Sequence, residues 1–220
     1  MARIWRFIDL RLALFVAALA VAALAPSVAH AARPGRADLL GGLIGGNCPF
    51  PASQVFAPWG DDHGYYLAPN GGLEAGSYGW KLSGGASVVS GNEPFYASGS
   101  HSLSLPSGSS ATSPVTCIGP DNVAIRMFGA DNGGSDSGLR VRVVWYGLLN
   151  TVLGISDYTT FKGGGAWGPT STCDSRGGFN LVLPLLGSVY ARVQLTPIGS
   201  GSAWKIDDLN VDPWESRGAL

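Results

Sequence analysis

Between residues 63 and 211 the apolar residues come in short β-branched or aromatic runs, each closed by Gly, Pro, Asn or Ser. No run in this region carries the three-to-four spacing of a buried helix face. Runs of this kind favour half-buried, pleated strands joined by tight turns. The spacing predicts strands over residues 63–68, 79–82, 86–90, 102–105, 123–128, 139–146, 179–183, 189–196 and 204–211. A low charge content, 13%, and 33 glycines suit the same architecture. The fold class that follows is all-β, an antiparallel sandwich around one core.

The N-terminus is of another kind. Arg3, Arg6 and Arg11 flank an uninterrupted apolar run over residues 12–24, Pro26 breaks it, and Ala29-His30-Ala31 offers a small-x-small cleavage site. This is the pattern of a secretory signal peptide. The run is too short to span a bilayer, which needs roughly 20 residues. The chain therefore divides into a signal peptide (1–31), a Gly- and Pro-rich lead-in (32–58), the sandwich (59–214) and a short tail (215–220), and the mature protein is expected outside the cell without a membrane span. Cleavage would remove three basic side chains and Asp9, leaving 11 basic and 14 acidic groups. That mild acidity argues against nucleic acid as a partner, since phosphate binding needs a basic surface.

Three cysteines follow the signal: Cys48, Cys117 and Cys173. An oxidising compartment favours one disulfide and one thiol outside it. Loop-closure entropy cannot choose the pair, because each closed loop is worth about 4 to 5 kcal/mol. Cys48–Cys117 is preferred, as the lead-in around Cys48 has no core of its own and gains most from a staple. Residues 170–178, around Cys173, read as a mobile loop.

Strand parity sorts side chains into faces. Val141, Val143 and Trp145, then Ala191, Val193 and Leu195, then Ile125 and Met127, form the apolar sets. The opposite sets place Arg126, Arg142 and Arg192 with Phe128, Tyr146 and Tyr190. Guanidinium groups beside aromatic rings can donate to sugar hydroxyls and stack on pyranose faces, so Arg126, Arg142, Tyr146, Tyr190 and Arg192 are the candidate ligand-binding residues. The alternative is a solvated face whose Arg stems cover apolar neighbours. The last strand breaks parity: Ile206 and Leu209 cannot both face inward without a β-bulge at Asp207-Asp208.

No arrangement argues for catalysis. There is no G-x-S-x-G, no H-E-x-x-H and no phosphate-cradling glycine loop. Asp61-Asp62-His63 reads as turn residues, and no spacing pairs Asp157, Glu93 or Glu215 as glycosidase carboxylates.

Two stretches carry a family resemblance. Asn70-Gly71-Gly72-Leu73-Glu74 leads to Gly79-Trp80-Lys81-Leu82, and the domain closes on Trp204-Lys205-Ile206-Asp207-Asp208-Leu209-Asn210-Val211. Together they resemble the opening and closing strands of carbohydrate-binding, galactose-binding-like jelly-roll modules. The resemblance implies a jelly-roll β-sandwich that is not an enzyme and binds glycan or cell-surface polysaccharide. It also implies a structural calcium ion held by Glu74 and by Asp207, or else Asp208, with backbone carbonyls completing the shell. Such modules usually accompany a catalytic domain, for which this sequence has no room. A second reading is therefore a stand-alone structural or adhesive protein of the cell envelope with no small-molecule ligand.

Overall fold

The computed structural model describes residues 53–96, 98–118, 123–146, 151–161, 165–175 and 189–212. All lie in one compact unit, Arg36–Leu220. A 3-10 turn at Ala57–Trp59 precedes the strands β1 (Tyr66–Leu67), β2 (Lys81–Ser83), β3 (Ser87–Ser90), β4 (His101–Leu105), β5 (Ser110–Thr112), β6 (Thr116–Ile118), β7 (Val123–Asp131), β8 (Gly138–Tyr146), β9 (Val152–Phe161), β10 (Gly168–Pro169), β11 (Cys173–Ser175), β12 (Val189–Ile198) and β13 (Trp204–Asp212). The predicted signal peptide, Cys48 and the predicted strand over 179–183 lie outside the described residues. Among those described, no helix is long and apolar enough to cross a membrane.

The strands make two antiparallel sheets. The first runs β10-β7-β13-β4-β3, with β1 against β13 and β11 against β7. The second runs β2-β5-β12-β8-β9, with β6 against β12. The chain crosses repeatedly from one sheet to the other, as at β4 to β5, β6 to β7 and β12 to β13, which is the winding of a jelly roll. Between the sheets lies the core that parity predicts. Val141, Val143, Trp145, Ala191, Val193 and Leu195 meet Leu103, Leu105, Ile125, Met127, Trp204 and Ile206 across it.

Strand β7 of the first sheet is covered on its other face as well. Phe56, Tyr65, Ala124 and Phe128 form a second buried cluster, with Val55, Trp59, Tyr96 and Trp167 at its margin. Phe128 is its hub: its ring lies 5.2 Å from Phe56, 5.5 Å from Trp59, 5.3 Å from Phe95 and 5.7 Å from Tyr96. All nine residues of β7 are consequently buried, where an alternating strand would expose every second one. Phe56 of the Pro-containing lead-in and Trp59 just after it thus fold back to make a layer over β7.

The two stretches that resemble the jelly-roll family are in contact. Asn70 takes a positive φ of 50°, which asparagine tolerates, and its side-chain amide donates to the Gly76 and Tyr78 carbonyls. Trp80 Nε1 donates back to the Asn70 carbonyl at 2.9 Å. Gly71 then approaches the closing strand so nearly that a Cβ there would sit 2.7 Å from the Leu209 carbonyl oxygen. The pairing of β13 with β7 shifts between Asp207 and Asn210, and Asp208 has φ 46°. This is the bulge that parity required, and it buries both Ile206 and Leu209.

Residues 170–178 contain a strand where the Ser- and Gly-rich sequence reads as a mobile loop. β11 pairs Cys173 with Ile125, and Cys173 is buried in the core. A buried cysteine behaves as a small apolar side chain, which suits this place in the core. Strand β9 is also missing from the sequence reading, because Gly154, Ser156 and Asp157 interrupt its apolar pattern.

The aromatic layer yields a stability prediction. Phe128→Ala removes a fully buried ring with four ring neighbours, and the expected loss is about 3–5 kcal/mol in urea unfolding. A loss near zero would mean that the ring lies on a solvated face.

Candidate functional site

The second sheet turns one face to the core and the other outward. On the outward face β12 and β8 pair Tyr190 with Tyr146, Arg192 with Val144, Gln194 with Arg142 and Thr196 with Arg140. The two tyrosines are thus directly opposed on adjacent strands, and both are half-buried. One row continues across the sheet as Lys81, Thr112, Gln194, Arg142 and Asp157. Four of the five predicted ligand-binding residues, Arg142, Tyr146, Tyr190 and Arg192, therefore share a face.

Ion pairs order that face. Arg140 grips Asp157 with two hydrogen bonds, Nε to Oδ1 at 2.8 Å and Nη2 to Oδ2 at 2.6 Å. Arg142 adds Nε to the same Oδ2 at 3.1 Å. The Arg140 hydrogen bonds, and then those of Arg142, hold the Asp157 carboxyl below its ordinary pKa. Arg192 donates Nη1 to the Ser113 carbonyl at 2.9 Å. The tyrosine end of the face is apolar, with Val152 facing Tyr146 and Ile155 facing Val144 across the pair.

Arg126 does not join this face. It lies on β7 of the other sheet, buried, because that strand's outer side is covered. Its Nη1 meets Asp61 Oδ2 at 2.7 Å, its Nε donates to the Thr170 carbonyl at 2.8 Å, and its guanidinium carbon sits 4.6 Å from the centre of the Phe56 ring. Asp61 also accepts from the Tyr65 hydroxyl at 2.8 Å and lies 2.9 Å from His63 Nδ1. Burial opposes its ionisation, but the hydrogen bonds from Tyr65, His63 and Arg126 prevail and hold its pKa down at about 2. Asp61 and His63, expected to be plain turn residues, thus belong to the network that fastens the lead-in to the first sheet. Their sequence signal was an acidic turn beside two tyrosines, and nothing in the sequence named Arg126 as the partner.

The bulge gathers negative charge. Asp207 is fully buried, its Oδ1 accepting from the Asp208 amide at 2.8 Å and its Oδ2 from the Glu93 amide at 3.2 Å. Burial first, and then the neighbouring Asp208, push the Asp207 pKa up to about 7. Burial, Glu93 and Glu74 push Asp208 up to about 6. Glu74 itself is turned to Ser100 and His101, accepting from both backbone amides at 2.7 and 2.9 Å. No group of three acidic, His or Cys side chains among the described residues is placed to hold a metal ion. The residues fit a cation in charge, since no basic side chain among those described pairs with Asp207, Asp208 or Glu93. Asp207 already accepts a backbone hydrogen bond at each oxygen, and a calcium ion here would draw on Asp208 and on backbone carbonyls for the rest of its shell.

No protein-family model matches the chain, and no curated protein matches it. It is similar in structure to the carbohydrate-binding module TmCBM61, solved with β-1,4-galactotriose, at 15% identity over 66% of this chain and 96% of that one, with a TM-score of 0.43. It is also similar to the CBM22-2 xylan-binding domain of Paenibacillus barcinonensis Xyn10C, at 14% identity over 68% of this chain and 99% of that one, with a TM-score of 0.42. A third similar structure is the enzymatically active domain of bacteriophage CBA120 tailspike protein 4, at 12% identity over 64% of this chain and 20% of that domain's chain, with a TM-score of 0.44.

The shifted carboxylates fix a pH profile. Asp207 and Asp208 have raised folded pKa values, so their contribution to stability is full below about pH 4 and is lost as pH rises through about 6 to 7. Asp61 has a lowered one, so its contribution is full above about pH 4 and is lost as pH falls toward about 2. The melting temperature in the absence of metal should therefore peak near pH 4 to 5 and decline on both sides. Asp208→Asn, which keeps a residue tolerant of positive φ, should flatten the decline above the peak by roughly 1–3 kcal/mol. An unchanged slope in that variant would contradict the assignment.

Proposed function

We propose that this domain is exported and binds glycan, without catalysing a reaction on it, through the outward face of its second sheet. The observation that carries this reading is the Tyr146–Tyr190 pair. Two half-buried tyrosines at paired positions on adjacent strands offer rings for stacking on the apolar face of a pyranose, and Arg142, Arg192 and Gln194 supply hydrogen-bonding groups within the neighbouring rows. The Cys48–Cys117 bridge and the cleaved signal peptide remain parts of this reading.

A second reading has its own support. Val152 and Ile155 of the edge strand β9 are 56% and 58% exposed. Apolar side chains on a strand that is an edge among the described residues favour protein–protein contact, as a structural or adhesive envelope protein would need.

The tyrosine platform separates the two. Tyr146→Ala should abolish retention on an immobilised glycan found by array screening while leaving the melting temperature within a few degrees, because a half-exposed ring contributes stacking more than core packing. Retention equal to that of the unsubstituted protein would favour the adhesive reading.

Calcium enters as a proposal beside Asp208. The ion would offset the crowded carboxylates of the bulge and, by binding the folded state, raise stability. At about pH 8, where those groups are ionised, added calcium should raise the melting temperature of the unsubstituted protein and leave that of Asp208→Asn unmoved. Melting curves that overlie with calcium and with chelator would remove the ion from the account.

A further inference from the structure

The sugar that this face would take can be narrowed by its charge and by its balance of donors and acceptors. The whole chain carries 14 basic and 15 acidic side chains. The described outward strands of the second sheet depart from that balance, carrying Lys81, Arg140, Arg142 and Arg192 against Asp157 alone. Asp157 neutralises one of the two guanidiniums that it touches and orients both. Arg192 and Lys81 have no acidic partner among the described residues.

Donors are in excess as well. A neutral sugar hydroxyl both gives and takes hydrogen bonds, whereas guanidinium and ammonium groups only give. The strongest acceptor on the face, Asp157, already has both oxygens engaged by arginines. Arg142 spends only its Nε on Asp157, and Arg192 spends only one terminal nitrogen, on the Ser113 carbonyl. A face with surplus cationic donors suits a group that is all acceptor, a carboxylate or a sulfate.

Position completes the argument. Arg192 follows Tyr190 by two residues on the same strand face, and its partner Val144 lies between Arg142 and Tyr146 on β8. A ring stacked on the tyrosine pair therefore has Arg192 as its first cationic neighbour and Arg142 on the diagonal beyond, roughly 7–8 Å further on.

Resting on the glycan-binding reading above, we propose that the ligand is an acidic polysaccharide, its sugar ring on Tyr146 and Tyr190 and its carboxylate or sulfate met by Arg192 and Arg142. Purified protein should be tested against polygalacturonate and its methyl ester, and against sulfated and unsulfated dextran, with polyglutamate as a polyanion without sugar rings. An acidic polymer should be bound at least roughly tenfold more tightly than its neutral counterpart and than polyglutamate, and the binding should weaken as salt is raised. Arg192→Gln should lose most of that preference, and the exposed Lys81→Gln should lose a smaller part, which keeps the test should the first variant fail to fold. Equal binding of acid and neutral forms, unchanged in these variants, would overturn the acidic specificity and leave glycan binding standing. Equal binding of polyglutamate would overturn recognition of the sugar. Retention of none of the polysaccharides, these or the arrayed glycans, would overturn both readings.

Discussion

The buried ion pair between Arg126 and Asp61 decides which surface of this domain is open. Burying two charges is expensive, and the cost is offset only when their remaining hydrogen-bonding capacity is met. Here Tyr65, His63 and the Thr170 carbonyl meet it, and the Phe56 ring lies against the guanidinium. The pair ties the segment before β1 to the middle of β7. That segment then lays Phe56, Trp59 and Tyr65 over the outer side of β7. With one side against the main core and the other beneath this layer, the first sheet offers β7 no free face. The described strands of the second sheet keep theirs.

How much of this was legible depends on the strand. Where one face is buried and the other solvated, alternation reports the geometry directly, and Val141, Val143 and Trp145 of β8 were assignable from parity, as were Ala191, Val193 and Leu195 of β12. The same logic placed the bulge at Asp207-Asp208, because two apolar residues three apart cannot otherwise both point inward. It failed at β7. Arg126 and Phe128 sit at outward positions by parity, and segments distant in sequence, around Phe56–Tyr65, Phe95–Tyr96 and Thr170, turn that outside into an interior. Parity carries no information about what covers a sheet. The strand β9 escaped for a related reason: an edge strand with Gly154, Ser156 and Asp157 lacks the continuous burial that makes a run visible.

The candidate site divides in the same way. Tyr146, Tyr190, Arg142 and Arg192 were recoverable together because they lie on two adjacent strands of alternating pattern. Their direct opposition was not, since register follows from long-range pairing. The acidic bulge was visible as a doublet of aspartates, but Glu93 was not, and Glu74 proves to be committed to Ser100 and His101. Close approach explains the Asn70-Gly71 turn in turn: a residue larger than glycine at position 71 would strike the Leu209 carbonyl, a contact made across more than 130 residues of sequence.

Among the described residues, the second sheet presents an open face at Tyr146 and Tyr190, whereas β7 of the first sheet does not. Hydroxyl-radical footprinting of the folded protein reads this directly, since aromatic rings react according to their contact with solvent. The account predicts modification of Tyr146 and Tyr190, with Phe56, Tyr65 and Phe128 protected until the protein unfolds. Protection of the two tyrosines together with rapid modification of Phe128 would place the open face on the other side of the sandwich and contradict the account.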